Sequence, residues 1–147
     1  MKKVFILSVF TLLCVPLFSQ GFKKSSSTEK IGSYEAGNYH LYKHSSDSVT
    51  IYSFTLRDQK YSTNTFLRVW LGTKEDAIEF LKNVIETIDQ MKKGDTFDLG
   101  LPDGNTGFYS TVLGIKILGI TVGDLGEFGQ LSKGVAKSML KRMEKEK

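Results

Sequence analysis

His40 and His44 are the only imidazoles in the chain, and imidazole is the side chain that most readily serves as a metal ligand or general base near neutral pH. Their four-residue spacing would align them on a helix, but the surrounding aromatic and β-branched residues favour a strand. In an extended strand they share one face about 13 Å apart, which is too far for one zinc ion. We therefore expect His40 to be a sheet-surface side chain and neither residue to bind metal.

Carboxylates occur in two places where their spacing raises the question of chemistry. Glu75 and Glu79 are neighbours on a predicted helix, but nothing else in the sequence indicates glycoside hydrolysis. Asp95, Asp98 and Asp103 lack the D-x-D-x-D-G pattern and closing glutamate of a calcium loop. A Gly-x-Ser-x-Gly nucleophile elbow is also missing from the sequence. We predict that the protein is not an enzyme, with no catalytic residue, no cofactor and no metal.

The stretch VGDLGEFGQLSKG, residues 122–134, contains three glycines at intervals of three: Gly123, Gly126 and Gly129. A phosphate-binding loop needs exposed backbone amides in an electropositive surround. Here Asp124 and Glu127 supply the opposite charge, and the spacing matches neither the dinucleotide fingerprint nor the Walker loop. The stretch therefore predicts the start of a packed helix, in which glycines let the backbone approach a sheet.

Four lysines recur at four-residue intervals near the end of the chain: Lys133, Lys137, Lys141 and Lys145. On a helix spanning residues 125–146 they would form a basic ridge, which could contact anionic lipid, lipopolysaccharide phosphates or an acidic protein. Lysines in such a position are also typical of an ordinary solvated helix face. A nucleic acid partner is not expected, because export is predicted and aromatic and basic residues do not interleave in the sequence.

Aromatic and β-branched residues concentrate in three segments, SYEAGNYHLYKH, SVTIYSFTLRD and STNTFLRVWLG, separated by turn-forming residues. They predict a three-stranded antiparallel meander. In the third segment the set Thr65, Leu67, Val69 and Leu71 is the better candidate for the buried face. In the second segment, two alternating sets compete for the core.

The sheet side that no helix covers is the predicted contact surface for a partner. Its candidate residues are Tyr39, His40, Tyr42, Tyr52, Arg68 and Trp70. A flat aromatic surface of this kind can bind a protein, a peptide or a glycan.

The first helix follows the meander and carries an apolar stripe at three- and four-residue spacing: Ala77, Ile78, Leu81, Val84, Ile85, Ile88 and Met91. Thr73 with Asp76 predicts a capping box, and Lys92, Lys93 and Gly94 are typical of a helix end. We expect the stripe to pack on the preceding sheet.

Beyond this helix, DTFDLGLPDGNTGFYSTV predicts a hairpin, since Pro102 and Gly104 suit a turn. The apolar VLGIKILGITV predicts a buried strand, and residues 107–122 as a whole could be one strand or two. VWLGTKEDAIEFL and ITVGDLGEFGQL resemble each other weakly, which we interpret as the ordinary sequence of two strand-to-helix joints. The predicted fold is α+β, an antiparallel sheet of about five or six strands with two helices packed on one face, in the order βββαββ(β)α.

The beginning of the chain has the pattern of a secretory signal: Lys2 and Lys3, an apolar segment over residues 4–17 and a small residue at Ser19. We predict a signal peptide over residues 1–20, a flexible polar tether over 21–30 and one α+β domain over 31–147. The sole cysteine, Cys14, lies in the signal, so the mature chain is predicted to be cysteine-free. Loss of two lysines lowers the net charge from +4 to +2.

These patterns together favour a periplasmic or extracellular binding or protein-interaction module without catalytic activity. One alternative is an envelope-associated protein that contacts anionic lipid or lipopolysaccharide through the basic C-terminal helix. A small hydrolase is a third reading, and it would need a polar pocket around one of the histidines.

Overall fold

A computed structural model describes residues 26–60 and 65–147. The predicted signal peptide and the first five residues of the predicted tether lie outside the described residues. Over the described ranges the protein has an α+β fold in which four strands and a helix are followed by four more strands and a second helix. Within these ranges the structure contains no helix with the length and apolar character needed to cross a membrane.

The strands form two antiparallel sheets, each hydrogen-bonded in chain order. The first sheet contains β1 (Ser26–Tyr34), β2 (Tyr39–Ser46), β3 (Thr50–Arg57) and β4 (Phe66–Gly72). The second contains β5 (Thr96–Asp98), β6 (Thr106–Val112), β7 (Ile115–Val122) and β8 (Glu127–Ser132). The helices are α1 (Lys74–Gln90) and α2 (Lys133–Lys145). The predicted α+β class is correct, but the single sheet of five or six strands is replaced by two sheets of four.

The additional strand in the first sheet is β1. Residues 26–30, which we expected to belong to a tether, pair with β2 from Ser26 opposite Ser46 onward. An edge strand needs backbone partners more than apolar side chains, and only Ile31 of β1 is buried. The segment SYEAGNYHLYKH is therefore two strands, joined by a single 3-10 turn (Glu35–Gly37) with Gly37 at φ 90°.

Helix α1 is formed as predicted, and its local signals agree with its packing. Thr73 Oγ1 accepts a hydrogen bond from the Asp76 amide at 3.3 Å, and Asp76 Oδ2 accepts one from the Thr73 amide at 2.9 Å, which completes the capping box. The buried residues of the helix and its C-cap are Ala77, Phe80, Leu81, Val84, Ile88 and Met91. Phe80 stacks on Phe54 of β3 with ring centroids 6.2 Å apart.

The core lies between the helices and one face of each sheet. In β4 the buried residues are Leu67, Val69 and Leu71, as predicted, whereas Thr65 is exposed. In β3 the core face consists of Tyr52, Phe54 and Leu56. α1 packs against α2 and contacts β3, β4 and β7, while α2 contacts β1 and β8. We call the face of each sheet that lies against the core its inner face, and the opposite face its outer face.

The two helices run antiparallel. At one end Lys133 Nζ lies 2.5 Å from the Asp89 carboxylate, and at the other Lys74 Nζ donates to the Glu146 carbonyl. This arrangement places the start of α2 beside the end of α1.

The prediction for residues 122–134 is wrong. These residues form the β7–β8 hairpin, with Gly123 at φ 74° and Gly126 at φ 65° in its turn. Helix α2 begins only at Lys133, where the Ser132 hydroxyl accepts from the Val135 amide at 3.2 Å. Positive φ angles explain the two turn glycines, because other residues adopt them at a cost. Gly129 is a close-approach position as expected, but strand β8 rather than a helix makes the approach.

The segment after α1 contains the predicted hairpin. β5 pairs with β6, and the Gly104 amide closes a turn on the Leu101 carbonyl at 3.0 Å. Residues 107–122 form two strands, because Leu113 and Gly114 make a tight turn at φ 50° and 81°. The two similar segments noted in the sequence are not equivalent, since one crosses the β4–α1 joint and the other crosses the β7–β8 hairpin.

Candidate functional site: the outer face of the first sheet

The outer face of the first sheet has large side chains on β2 and β4 and small ones on β3 between them. Successive side chains of a strand point to opposite faces of the sheet, so these residues lie on the outer face because their neighbours in sequence fill the core. Cross-strand register aligns His40 with Thr55 and Arg68, and Tyr42 with Ser53 and Trp70. The residues that make this surface, which we call the platform, are His40, Tyr42, His44, Ser53, Thr55, Phe66, Arg68 and Trp70.

Arg68 lies between two aromatic rings of the platform. Its guanidinium carbon is 5.4 Å from the centroid of the Tyr42 ring and 5.5 Å from that of Trp70. Both distances are within the range of cation–π attraction. Because two rings hold one exposed, permanently charged group, the guanidinium is oriented before any ligand arrives.

The histidines extend the aromatic surface along β2. The His44 ring centroid lies 4.8 Å from that of Trp70, and the His40 centroid lies 5.5 Å from that of Phe66. Burial, with Arg68 as a second cause, lowers the pKa of His44 below its ordinary value of 6.5. Burial and then Lys30 lower the pKa of His40 in the same way. Both imidazoles are therefore neutral at neutral pH.

His44 and Ser53 form a pair that superficially resembles a base and a nucleophile. His44 Nε2 is 2.8 Å from Ser53 Oγ, and His44 Nδ1 is 3.0 Å from Thr28 Oγ1. A serine hydrolase needs a reachable hydroxyl and usually a carboxylate behind the imidazole. Ser53 is 0% exposed, and the second partner of His44 is a hydroxyl. The arrangement anchors the imidazole within the sheet surface.

Two polar atoms under the platform have no protein partner among the described residues: Thr55 Oγ1 and His40 Nδ1. Both are buried, and Thr55 as a residue is only 5% exposed. They belong to directly opposed residues of β3 and β2. Leaving a buried polar group unpaired costs about 1–3 kcal/mol, so the Thr55 hydroxyl makes this sheet less stable than an apolar side chain of the same size would.

At its strand positions in β1 to β4, the platform face carries only positive formal charges. The residues of β1 to β4 that share it by register include Lys30, Arg57 and Arg68, and none of those strand positions is Asp or Glu. An anionic group can approach this face without close repulsion.

Four of the six predicted contact residues lie together on the platform: His40, Tyr42, Arg68 and Trp70. Tyr39 and Tyr52 do not, because alternation turns both toward the core, where they are buried. The Tyr39 hydroxyl donates to the Gln130 carbonyl at 2.8 Å, and burial raises the pKa of Tyr39 to about 12. Strict two-residue alternation from His40 would have excluded Tyr39, whereas Tyr52 lies on β3, where two alternating sets competed for the core.

Sequence analysis missed four platform residues: His44, Ser53, Thr55 and Phe66. Alternation within β2 and β4 would have found His44 and Phe66, whereas Ser53 and Thr55 lie on β3, whose outer face only the cross-strand register identifies. Arg68 and Trp70 are two residues apart on the outer face of β4, and Tyr42 joins them from β2, so basic and aromatic groups do alternate there, contrary to the prediction. That observation removes one of the two reasons given against a nucleic acid partner; the predicted export remains.

The predicted lysine ridge lies on α2, where Lys137, Lys141 and Lys145 are exposed. Lys133 is its first residue and is paired with Asp89. Among residues 26–60 and 65–147, no three His, Cys, Asp or Glu side chains are grouped closely enough to hold a metal ion.

A cavity of about 440 Å³ lies between α1 and the loop after β5, with Asp76 and Glu79 in its lining. Asp76 is already bonded to Thr73, whose amide and hydroxyl hold the pKa of that carboxyl below 3.8. The platform is therefore the better site.

Comparison of the chain with protein-family models, curated proteins and solved structures found no significant match.

Proposed function

We propose that this protein is an exported, non-catalytic binding module that holds an acidic carbohydrate on the platform. The observation that carries the proposal is the Arg68 guanidinium held between Tyr42 and Trp70 on a face whose strand positions carry no carboxylate. A guanidinium pairs with a carboxylate through two parallel hydrogen bonds, which gives both attraction and orientation.

A sugar suits the rest of the platform for two reasons. Its C–H face can stack on an aromatic ring, and Trp70 and Tyr42 present such rings beside the charge. Its hydroxyl groups can accept the N–H bonds of the exposed Arg68 guanidinium that a carboxylate leaves unused. The surface from His40 to His44 and across three strands measures about 13 by 10 Å, which is room for a short oligosaccharide.

A hydrolase finds less support at the same place, because Ser53 is buried and the polar partners of His44 are hydroxyls. Peptides are most often recognised in a groove or at a sheet edge, whereas the platform is a flat face, so a peptide has less support than a sugar. Single-stranded nucleic acid also stacks on aromatic and basic platforms, and it is kept as an outcome of the test.

Trp70 provides the test, since it is the chain's only tryptophan and lies on the platform. Its emission should change on titration with a trimer of galacturonic acid and change much less with the neutral galactose trimer. In Arg68→Gln the affinity for the acidic trimer should fall at least tenfold, because a hydrogen bond to a charged group contributes about 1.5–3 kcal/mol. The matched control is Lys141→Gln, which removes one exposed positive charge from α2 and should leave affinity unchanged.

Equal binding of the acidic and neutral trimers would contradict the role of Arg68. Saturable binding of a single-stranded oligonucleotide or an acidic peptide, without binding of either sugar, would replace the proposed ligand class. Equal loss of affinity in Arg68→Gln and Lys141→Gln would show that the platform is not the site.

A further inference from the structure

The hairpin between β6 and β7 ends in exposed apolar side chains. Leu113 in the turn is 97% exposed, Ile115 is 66% exposed and Val112 is 42% exposed. Val112 and Ile115 are the last cross-strand pair before the turn, so the three side chains lie together. We call Val112, Leu113 and Ile115 the apolar tip. One exposed leucine is ordinary on a protein surface, whereas a cluster at a projecting turn indicates contact with something else.

The conformation of Leu113 strengthens this reading. Its φ is 50°, and Gly114 follows at φ 81°, which is the left-handed pair of a two-residue hairpin turn. Asn-Gly is the favoured sequence for such a turn, because Asn tolerates positive φ and leucine does not. Leu113 therefore carries two free-energy costs, a positive φ and an apolar side chain exposed to water. Packing within the protein offsets neither, because the side chain is almost fully exposed.

Lysines surround the base of the apolar tip. Lys116 Nζ donates to the Met91 carbonyl at 2.9 Å, which holds β7 against the end of α1 just before the exposed Lys92 and Lys93. Lys133 reaches Asp89 on the same end of α1, and Lys137 follows one turn later on α2.

These five lysines outnumber the nearby carboxylates Glu86, Asp89 and Asp95. Asp89 is occupied by Lys133, which is the main cause of its lowered pKa, with Lys137 and Lys116 as weaker ones. We call Lys92, Lys93, Lys116, Lys133 and Lys137 the basic collar.

We propose that the apolar tip enters the interface of an anionic lipid bilayer while the basic collar contacts lipid phosphate groups. Apolar side chains at such an interface enter the boundary between headgroups and acyl chains, and basic residues beside them add attraction to anionic lipid. The proposal needs neither the platform nor its ligand. It also differs from docking by the whole lysine ridge, because Lys141 and Lys145 lie toward the far end of α2, near the contact of Glu146 with Lys43.

The test compares two exposed leucines on opposite turns of the same strand. Leu113→Asn removes the apolar tip's most exposed side chain, and asparagine suits its positive φ, so the variant should be at least as stable as the parent protein. Leu125→Asn is the matched control: Leu125 is 73% exposed in the β7–β8 turn, about 23 Å along β7 from the apolar tip. The protein should be recovered after export and begin near residue 21, since the apolar segment at 4–17 would bind lipid by itself.

Cosedimentation with vesicles of phosphatidylglycerol and phosphatidylcholine at low salt should show binding by the parent protein and by Leu125→Asn. Leu113→Asn should bind about 30-fold more weakly, which is the factor expected for withdrawing one leucine from an apolar environment. Replacing both Lys92 and Lys93 by Gln should weaken binding about 30-fold, and replacing Lys141 and Lys145 by Gln should weaken it far less. Raising the salt should reduce binding of the parent protein.

Pelleting of Leu113→Asn as complete as that of Leu125→Asn would overturn the role of the apolar tip. Equal pelleting on pure phosphatidylcholine, or equal effects of the two lysine pairs, would overturn the role of the basic collar. Failure of the parent protein to bind anionic vesicles at low salt would overturn the proposal as a whole, and it would leave the platform proposal unaffected.

Discussion

Replacing Gly129 by alanine should disturb the contact between β8 of the second sheet and β3 of the first. Gly129 lies on the inner face of β8, opposite Ile120 of β7. A Cβ atom there would lie 2.9 Å from Leu56 Cγ and 3.0 Å from the Arg57 carbonyl oxygen of β3. Both distances are too short for ordinary contact, and Leu56 is fully buried, so its side chain has no open space to enter.

The expected loss follows from two opposing effects. Overpacking of a well-packed core costs about 1–3 kcal/mol. We expect a cost near the top of this range, because the new methyl group would meet a backbone oxygen, which moves less easily than a side chain. Alanine recovers about 0.5–1 kcal/mol relative to glycine within a strand. The free energy of unfolding should therefore fall by about 2 kcal/mol in Gly129→Ala.

Urea unfolding followed by Trp70 fluorescence measures this change. Gly134→Ala is the control, because its Cβ would lie 3.9 Å from the nearest atom, Ser132 Oγ, within the first turn of α2. This variant should be neutral or more stable by up to about 1 kcal/mol. Adding Leu56→Ala to Gly129→Ala should show favourable coupling, since it removes the side chain that the new methyl group meets. Unchanged stability of Gly129→Ala would refute the packing of β8 against β3.

Three further outcomes test the platform and the first helix. Thr55→Val should raise the free energy of unfolding by about 1 kcal/mol, because it removes a buried unpaired hydroxyl; urea unfolding measures the change, and a loss of stability would contradict it. Arg68→Gln should raise the pKa of His44 toward 6.5, because it removes a positive charge beside the imidazole, and an NMR pH titration that finds no rise would contradict the geometry. The pKa of Asp76 is lowered in the folded protein by hydrogen bonds from Thr73, so its contribution to stability is full above pH 3.8 and is lost as the pH falls through the lower, folded value. Asp76→Asn should therefore lose less stability between pH 6 and pH 2.5 than the parent protein does, and an equal loss would argue against the capping box.

Helix α1 was predictable because independent local signals agree on it. Its apolar stripe, the Thr73–Asp76 capping box and the glycine after its end all act within a few residues. The buried face of β4 was predictable for a similar reason, since Leu67, Val69 and Leu71 alternate without interruption.

The remaining elements depend on contacts distant in sequence. β1 is polar because it is an edge strand, and only its pairing with β2 distinguishes it from a tether. The glycines at 123, 126 and 129 resembled one motif, but two of them make a hairpin turn and the third allows two sheets to meet. No local pattern separates these two uses of glycine.

Only part of the platform was predictable, because it too depends on contacts between residues distant in sequence. Aromatic composition indicated the correct strands, but composition does not determine on which face a residue lies, and so Tyr39 and Tyr52 were included wrongly. The position of Arg68 between Tyr42 and Trp70 depends on register across three strands, which the sequence does not specify.

The most direct test of the proposed function is an NMR map of chemical-shift changes on addition of the galacturonic acid trimer. The account predicts that the changes centre on the Trp70 indole N–H, the Arg68 side chain and the ring signals of Tyr42 and His40, and that residues of α2 remain unaffected. Changes centred instead on the cavity beside Glu79, or spread evenly over the lysines, would contradict it.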